Sequence, residues 1–230
     1  MVIIDIIMTT VIDMTNKTPT IVETDSSNIG KNESKKIWCI VPRDTQFKPI
    51  ISARDISVIL GLNPFTTRDE LLKEKAGICK KQITFTDDIR RGIRLESVAL
   101  EKFAESLEIP YIPSSSNTID VESSYIMKGK CEKVICENFV LSGCADGIIL
   151  PKNIIVEVKC PKRMSKKVPV YYYTQIQLYM YLYQSKSSYY IEYIENRPLN
   201  IIEVKFNERF MRSIFCHIDL FVKHILLERN

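Results

Sequence analysis

Asp146, Glu157 and Lys159 are the residues of this chain whose types and spacing could do chemistry together. They lie in CADGIILPKNIIVEVKCPKR, residues 144–163, where a run of Ile and Val suited to a buried strand carries a Glu and a Lys in its middle. Side chains of a strand alternate between faces. The spacing therefore predicts an apolar face of Ile154, Val156, Val158 and Cys160, and an opposite face of Ile155, Glu157 and Lys159, the first core and the second a site. An edge-strand ion pair would give the same Glu-x-Lys pattern. Asp146 makes the difference, because it stands eleven residues before Glu157, in the preceding arm of a hairpin turning at Pro151-Lys152-Asn153. The fold-back brings its carboxylate beside that of Glu157. Two adjacent carboxylates repel and call for a cation. Hard oxygen donors with few His or Cys nearby suit Mg²⁺ or Mn²⁺ better than zinc. Lys159 would then orient or help activate a water, or neutralise charge on a phosphate. Together the three describe metal-assisted hydrolysis of a phosphodiester.

The elements that must position them follow from pattern. Residues 1–36 include a Thr-, Ser-, Asn- and Lys-rich stretch with little periodicity and are expected to form a flexible arm, with one folded domain over 37–230. Ser52 reads as the N-cap of a short helix ending near Gly61, and a second helix is expected around Thr67 to Lys75. Thr86 caps a long helical pattern in which Ile89, Ile93, Leu100, Phe103 and Leu107 share a face. Glu96 falls on that face. A charged side chain is seldom buried without a partner or a metal; pairing with Arg90, Arg91 or Arg94, or a place at the edge of the stripe, would account for it as well as a site would. Strands are expected over Asn138 to Ala145, Gly147 to Leu150, Ile154 to Cys160, Ser188 to Tyr193 and Leu199 to Phe206. Helices are expected from Pro169 to Gln184 and from Glu208 to Leu227.

Composition bounds the rest. With 230 residues, 45% of them hydrophobic, the chain is long enough for one sizeable core. A net charge of +4 permits a nucleic-acid partner without demanding one. The seven Cys show no CxxC pair and read as reduced thiols of an intracellular protein, in the cytoplasm or nucleus of a cell and not secreted. The opening MVIIDIIMTTVIDM lacks a basic n-region and is interrupted by Asp5 and Asp13. No run approaches the roughly 20 apolar residues of a membrane span. There is no P-loop, so ATP is not expected.

The pattern of Asp146, Glu157, Val158 and Lys159 resembles the PD-(D/E)xK nuclease core. The wider set is similar to the YqaJ-type viral recombinases, the phage lambda exonuclease-like family. That resemblance runs from Ile50 to Arg212 and rests on five blocks in order: Ile51-Ser52-Ala53 before a helix, Gly92 and Glu96, Cys144-Ala145-Asp146-Gly147, Glu157-Val158-Lys159-Cys160-Pro161, and Tyr172, Gln175 and Gln177. It implies an α/β fold with a restriction-endonuclease-like core, a central mixed β-sheet flanked by helices. It also implies a Mg²⁺-dependent exonuclease that degrades one strand of linear duplex DNA from its 5′ end, leaving a 3′ strand for a single-strand annealing protein. Asp146, Glu157 and the carbonyl of Val158 would hold two ions, Glu96 would assist the second, Lys159 would act on the attacking water, and Gln175 would support the site with Tyr172 beside it. Ser52 at a helix N-terminus would bind a phosphate. The Arg that accompanies it in relatives has no counterpart at the same spacing, which leaves Arg43 and Arg54 as candidates. Some relatives form a ring of three subunits, so a homotrimer belongs to the same expectation.

Lys162 and Arg163, in the basic loop PKRMSKK, would grip the DNA backbone without reading bases, although a solvated loop would look the same. The tyrosines from Tyr171 to Tyr183 are expected to be core, Tyr172 excepted. Two other readings stay open: an endonuclease on the same core, which would cut a closed circle, and a non-catalytic DNA-binding or scaffold protein, which the intact Asp146, Glu157 and Lys159 argue against.

Overall fold

The computed structural model describes residues 48–80, 86–113 and 123–229. The predicted N-terminal arm and Arg43 lie outside them. In chain order the elements are β1 (Ile50–Ser52), α1 (Asp55–Ile59), α2 (Arg68–Ala76), α3 (Asp87–Ser106), β2 (Tyr111–Ile112), β3 (Tyr125–Lys128), β4 (Cys131–Ile135), β5 (Val140–Cys144), β6 (Gly147–Leu150), β7 (Ile154–Lys159), α4 (Val170–Leu182), β8 (Ser187–Glu192), β9 (Asn200–Lys205) and α5 (Glu208–Arg229).

Six strands form one mixed sheet in the order β2-β3-β6-β7-β8-β9, and three form a smaller sheet, β1-β5-β4. The hairpin read from the sequence is there: β6 and β7 pair antiparallel, with Gly147 opposite Val156. β7 and β8 run parallel, which requires a crossover, and α4 supplies it. Helices cover both faces of the large sheet, as burial of a mixed sheet demands. On one face α3 packs Leu95, Ala99, Leu100 and Phe103 against Ile126, Val156 and Val158. On the other, α1, α2, α4 and α5 pack around Ile148, Ile155 and Tyr190.

Two readings are settled here. β7 is not an edge strand, which removes the edge-strand ion-pair alternative: it is flanked by β6 and β8 and covered from both sides, so that Ile155 and Val156 are fully buried and Glu157 is 1% exposed. Along α3 the buried stripe is Leu95, Ala99, Leu100, Phe103 and Ala104, while Ile89, Ile93 and Leu107 are exposed; the helix finds its partner only from Leu95 onward, and its first two turns carry none of the buried residues. The cap read at Thr86 is there, its side chain accepting from the Ile89 amide, and Thr67, expected only to open its helix, forms a capping box with Glu70.

The thiols also differ. Cys131 and Cys144 are joined in a disulfide, because β4 and β5 pair antiparallel with these two residues directly opposite. Cys79, Cys136, Cys160 and Cys216 are free. No helix among the described residues is long and apolar enough to cross a membrane.

Gly143 is the point where the small sheet meets α4. A Cβ there would lie 2.6 Å from the Tyr179 ring. Gly143→Ala is therefore expected to destabilise the protein by about 1–3 kcal/mol through overpacking. Denaturant melts would show this as a lower midpoint with an unchanged slope.

Candidate active site

Asp146 lies between β5 and β6, and its Oδ2 accepts the Val158 amide N–H at 2.8 Å. This bond ties the two arms of the hairpin together at the site. Its backbone carbonyl accepts from Gly129 at 3.1 Å. A Cβ on Gly129 would collide with the Ala145 carbonyl, so only glycine lets the backbone come this close to Asp146. Sequence reading missed Gly129, since nothing local marks a contact made across the fold.

Glu157 is the buried centre. Its Oε1 accepts from Gln175 Nε2 at 3.0 Å and from Lys159 Nζ. The other amide hydrogen of Gln175 goes to the Tyr179 hydroxyl at 2.7 Å, so the amide is fixed and the carboxylate with it. Gln175 thus sits where the sequence placed it; Tyr179, read as plain core, turns out to hold it. Lys159 is 19% exposed and lies over the Tyr172 ring, 5.0 Å from its centroid.

Glu157 Oε2 is buried without a hydrogen-bond partner among the described residues. A bare carboxylate oxygen in the interior is costly. Burial, and then repulsion from Asp146, push the Glu157 carboxyl up to about 8, against the pull of Lys159. Glu96 is half-buried and is raised as well, by burial first and then by Asp146, with Lys128, Lys159 and Arg54 opposing. Burial pulls Lys159 down, but Glu157 and Asp146 outweigh it and its ammonium is held above the ordinary lysine value. Burial first and mutual repulsion second thus hold two acids above their ordinary range at one spot. Among the described residues no three His, Cys, Asp or Glu side chains are gathered closely enough to hold a metal. The donors on hand are the two carboxylates and neighbouring backbone carbonyl groups, which fit a hard divalent cation that keeps some of its water.

This gives an expected pH dependence without divalent cation. An acid whose folded value lies above its unfolded one keeps its proton in the folded chain after the unfolded chain has lost it. Stability contributed by Glu157 is therefore full below about 4.5 and falls as pH rises toward 8, by up to about 1.4 kcal/mol per pH unit. Denaturant melts from pH 5 to 8 in EDTA are expected to show that decline, and Glu157→Gln to flatten it.

The Arg pairings weighed for Glu96 are not there, since Arg90 pairs with Asp87, Arg91 with Asp88 and Arg94 with Glu195, whereas its half-buried place beside Leu95 agrees with the edge of the stripe. Glu96 stands where the stripe of α3 meets the site, close enough to Asp146 to feel its charge. Lys128, at the end of β3 opposite Gly147, acts on it too and was not singled out in the sequence. Arg54 is exposed, and its charge reaches both Glu96 and Glu157.

Ser52 is not a cap. It ends β1 and pairs with Ser142, while α1 starts at Asp55, after Arg54. Its amide donates to Asp55 Oδ2 at 2.8 Å, and Asp55 pairs with Lys75 at 2.7 Å. The Ser52 amide is therefore already taken by an acid of the first turn. Lys162 bridges to Asp88 at 2.8 Å on the surface, which holds the basic loop near the start of α3; Arg163 is exposed.

Against this geometry the comparisons with known proteins can be set. The YqaJ-like viral recombinase domain matches residues 44–185, a span that holds Glu96, Asp146, Glu157, Lys159 and Gln175. No curated protein matches the chain. Among solved structures, an alkaline exonuclease from Laribacter hongkongensis is similar with a TM-score of 0.58 and 14% identity, over 78% of this chain and 89% of that one. The same exonuclease in complex with dAMP gives 0.59. A phage-related exonuclease from Haemophilus somnus gives 0.56 at 12% identity, over 78% of this chain and 94% of the other. At such identities the likeness is one of fold, and the fold is the restriction-endonuclease-like α/β core.

Proposed function

The chain belongs to the family of the YqaJ-like viral recombinase domain, and on that premise we propose that it is a divalent-metal-dependent DNA exonuclease acting at duplex ends. One observation carries the reading: Glu157, buried and fixed by Gln175 and Lys159, keeps one oxygen without a hydrogen-bond partner among the described residues, and stands close enough to Asp146 for the two carboxylates to repel. A structural ion pair would have no need to leave that oxygen bare.

Asp146, Glu157 and the Val158 carbonyl are the residues that would hold the ion, with Glu96 at the rim beside a second. When bound, the metal supplies Lewis acidity and charge neutralisation at the phosphate. The chain does the rest. Gln175, locked by Tyr179, keeps Glu157 in one orientation, so no reorganisation is needed as charge develops. Lys159 stays protonated at neutral pH and acts as a fixed positive charge and hydrogen-bond donor, orienting the attacking water and screening the phosphate oxygens. Tyr172 holds the lysine ammonium over the face of its ring. Glu96, with its raised proton affinity, is suited to accept a proton from that water. Arg54 and Lys128, whose charges reach Glu96, and Lys162 and Arg163 of the basic loop would contact the DNA backbone. A 5′-to-3′ direction, a homotrimer and an annealing protein as recipient of the 3′ strand belong to this proposal on the family likeness.

The test is digestion of a linear duplex and a closed circle of the same DNA, each with Mg²⁺ and with EDTA. Loss of the linear form alone, only with Mg²⁺, supports the reading. Cutting of the circle would make the protein an endonuclease, and no cutting of either would leave it a binding protein.

A further inference from the structure

Phe65 is the most exposed large apolar residue of the described chain, at 77%, yet its loop is tightly built. Asn63 Oδ1 accepts the amides of Phe65 at 2.9 Å and Thr66 at 3.0 Å. Asn63 Nδ2 in turn donates to Ser57 Oγ in α1 at 2.9 Å. A lone exposed apolar side chain calls for no explanation by itself. Phe65 is not alone: its ring meets Tyr171 edge-on at 5.9 Å and 83°. Tyr171 lies 4.4 Å from Tyr172, and Tyr172 is the ring under Lys159. A continuous path of aromatic rings therefore leads from the solvent to the catalytic lysine.

Two rings nearly at right angles form a corner. A flat aromatic group entering it lies face-on to one ring and edge-on to the other, the two arrangements that aromatic pairs favour. Beside a phosphodiester site the flat group available is a nucleobase, and only an unpaired base has a face to offer. We propose that Phe65 and Tyr171 form a stacking platform for an unpaired base of the strand being cut. The proposal rests on the nuclease reading above and deepens it: the platform would take any base, so it adds affinity for a frayed or single-stranded end without sequence preference.

The test is binding of a fluorescent single-stranded oligonucleotide in EDTA, where nothing is cut, compared with the same strand carrying tetrahydrofuran abasic sites. Phe65→Ala is expected to keep the melting temperature, since the ring is exposed. It should weaken binding of the base-bearing strand about 5- to 150-fold, the loss from one stacked base, and of the abasic strand less than about twofold. Phe65→Trp should retain binding. In Mg²⁺ the alanine protein should show a raised KM with little change in kcat. Equal weakening on both strands, or none on either, overturns the platform and leaves the nuclease standing. Absence of DNA binding by the unaltered protein overturns both.

Discussion

Lys159→Ala protein is expected to fold and to bind DNA, but to cleave it about 10²- to 10³-fold more slowly, the usual loss when one preorganised charge donor is removed from a reacting centre. Among the described residues Lys159 is the cation placed directly on the buried Glu157, and its ammonium is held protonated by Glu157 and Asp146 against the effect of burial. Without it, Glu157 becomes harder still to ionise. The fold survives because Glu157 can take up a proton and keeps Gln175 as a partner. Single-turnover cleavage together with a melting curve would separate the two effects. A variant that melts as the unaltered protein does and cuts at an unchanged rate would remove Lys159 from the chemistry.

Asp146→Asn is expected to abolish the response to divalent metal. The asparagine oxygen can still accept the Val158 amide, so the hairpin remains joined while a negative donor is lost. At 100 times its Kd, a ligand adds about 2.7 kcal/mol to stability, which for a chain of this size corresponds to a rise in Tm of about 5–10 °C. The unaltered protein should show that rise on adding Mg²⁺, most clearly near pH 8, where the bare carboxylates repel most. Asp146→Asn should show none, and its cleavage should fall about 10³-fold or more, as when an essential ligand or catalytic group is removed. An undiminished Tm response in the variant would place the metal elsewhere.

The site was legible because its parts are local. Asp146, Glu157 and Lys159 belong to one hairpin, so an eleven-residue spacing and a period of two were enough to bring them together. Gln175 lies in the crossover helix α4 that follows, and the resemblance to the family supplied its role. What escaped depends on distance in the chain. β1 finds its partner in β5, with Ile51 beside Leu141, and no local pattern announces such a pairing. The disulfide between Cys131 and Cys144 follows from that same sheet's register. Gly129 matters through a backbone approach to Ala145 and Asp146, and Lys128 through its place at the end of β3.

The errors have equally physical origins. Ser52 looked like a cap because a serine precedes a helical run, but the chain stays extended to pair with Ser142 and hands the first turn to Asp55. Ile89 and Ile93 looked like core because spacing says which face a residue is on and not how far the neighbouring sheet extends. The face of Glu157 was read as a site set against a core face, whereas a central strand buries both; the acid is in the core, and that burial is what perturbs it.

The most direct measurement is strand-specific release from linear duplex DNA labelled at the 5′ or the 3′ end, using the unaltered and Lys159→Ala proteins side by side in Mg²⁺ and in EDTA. The account expects rapid early release of the 5′ label by the unaltered protein in Mg²⁺ alone, with the Lys159→Ala protein slower by about 10²-fold or more. Release that persists in EDTA, or that is the same with and without Lys159, would contradict it.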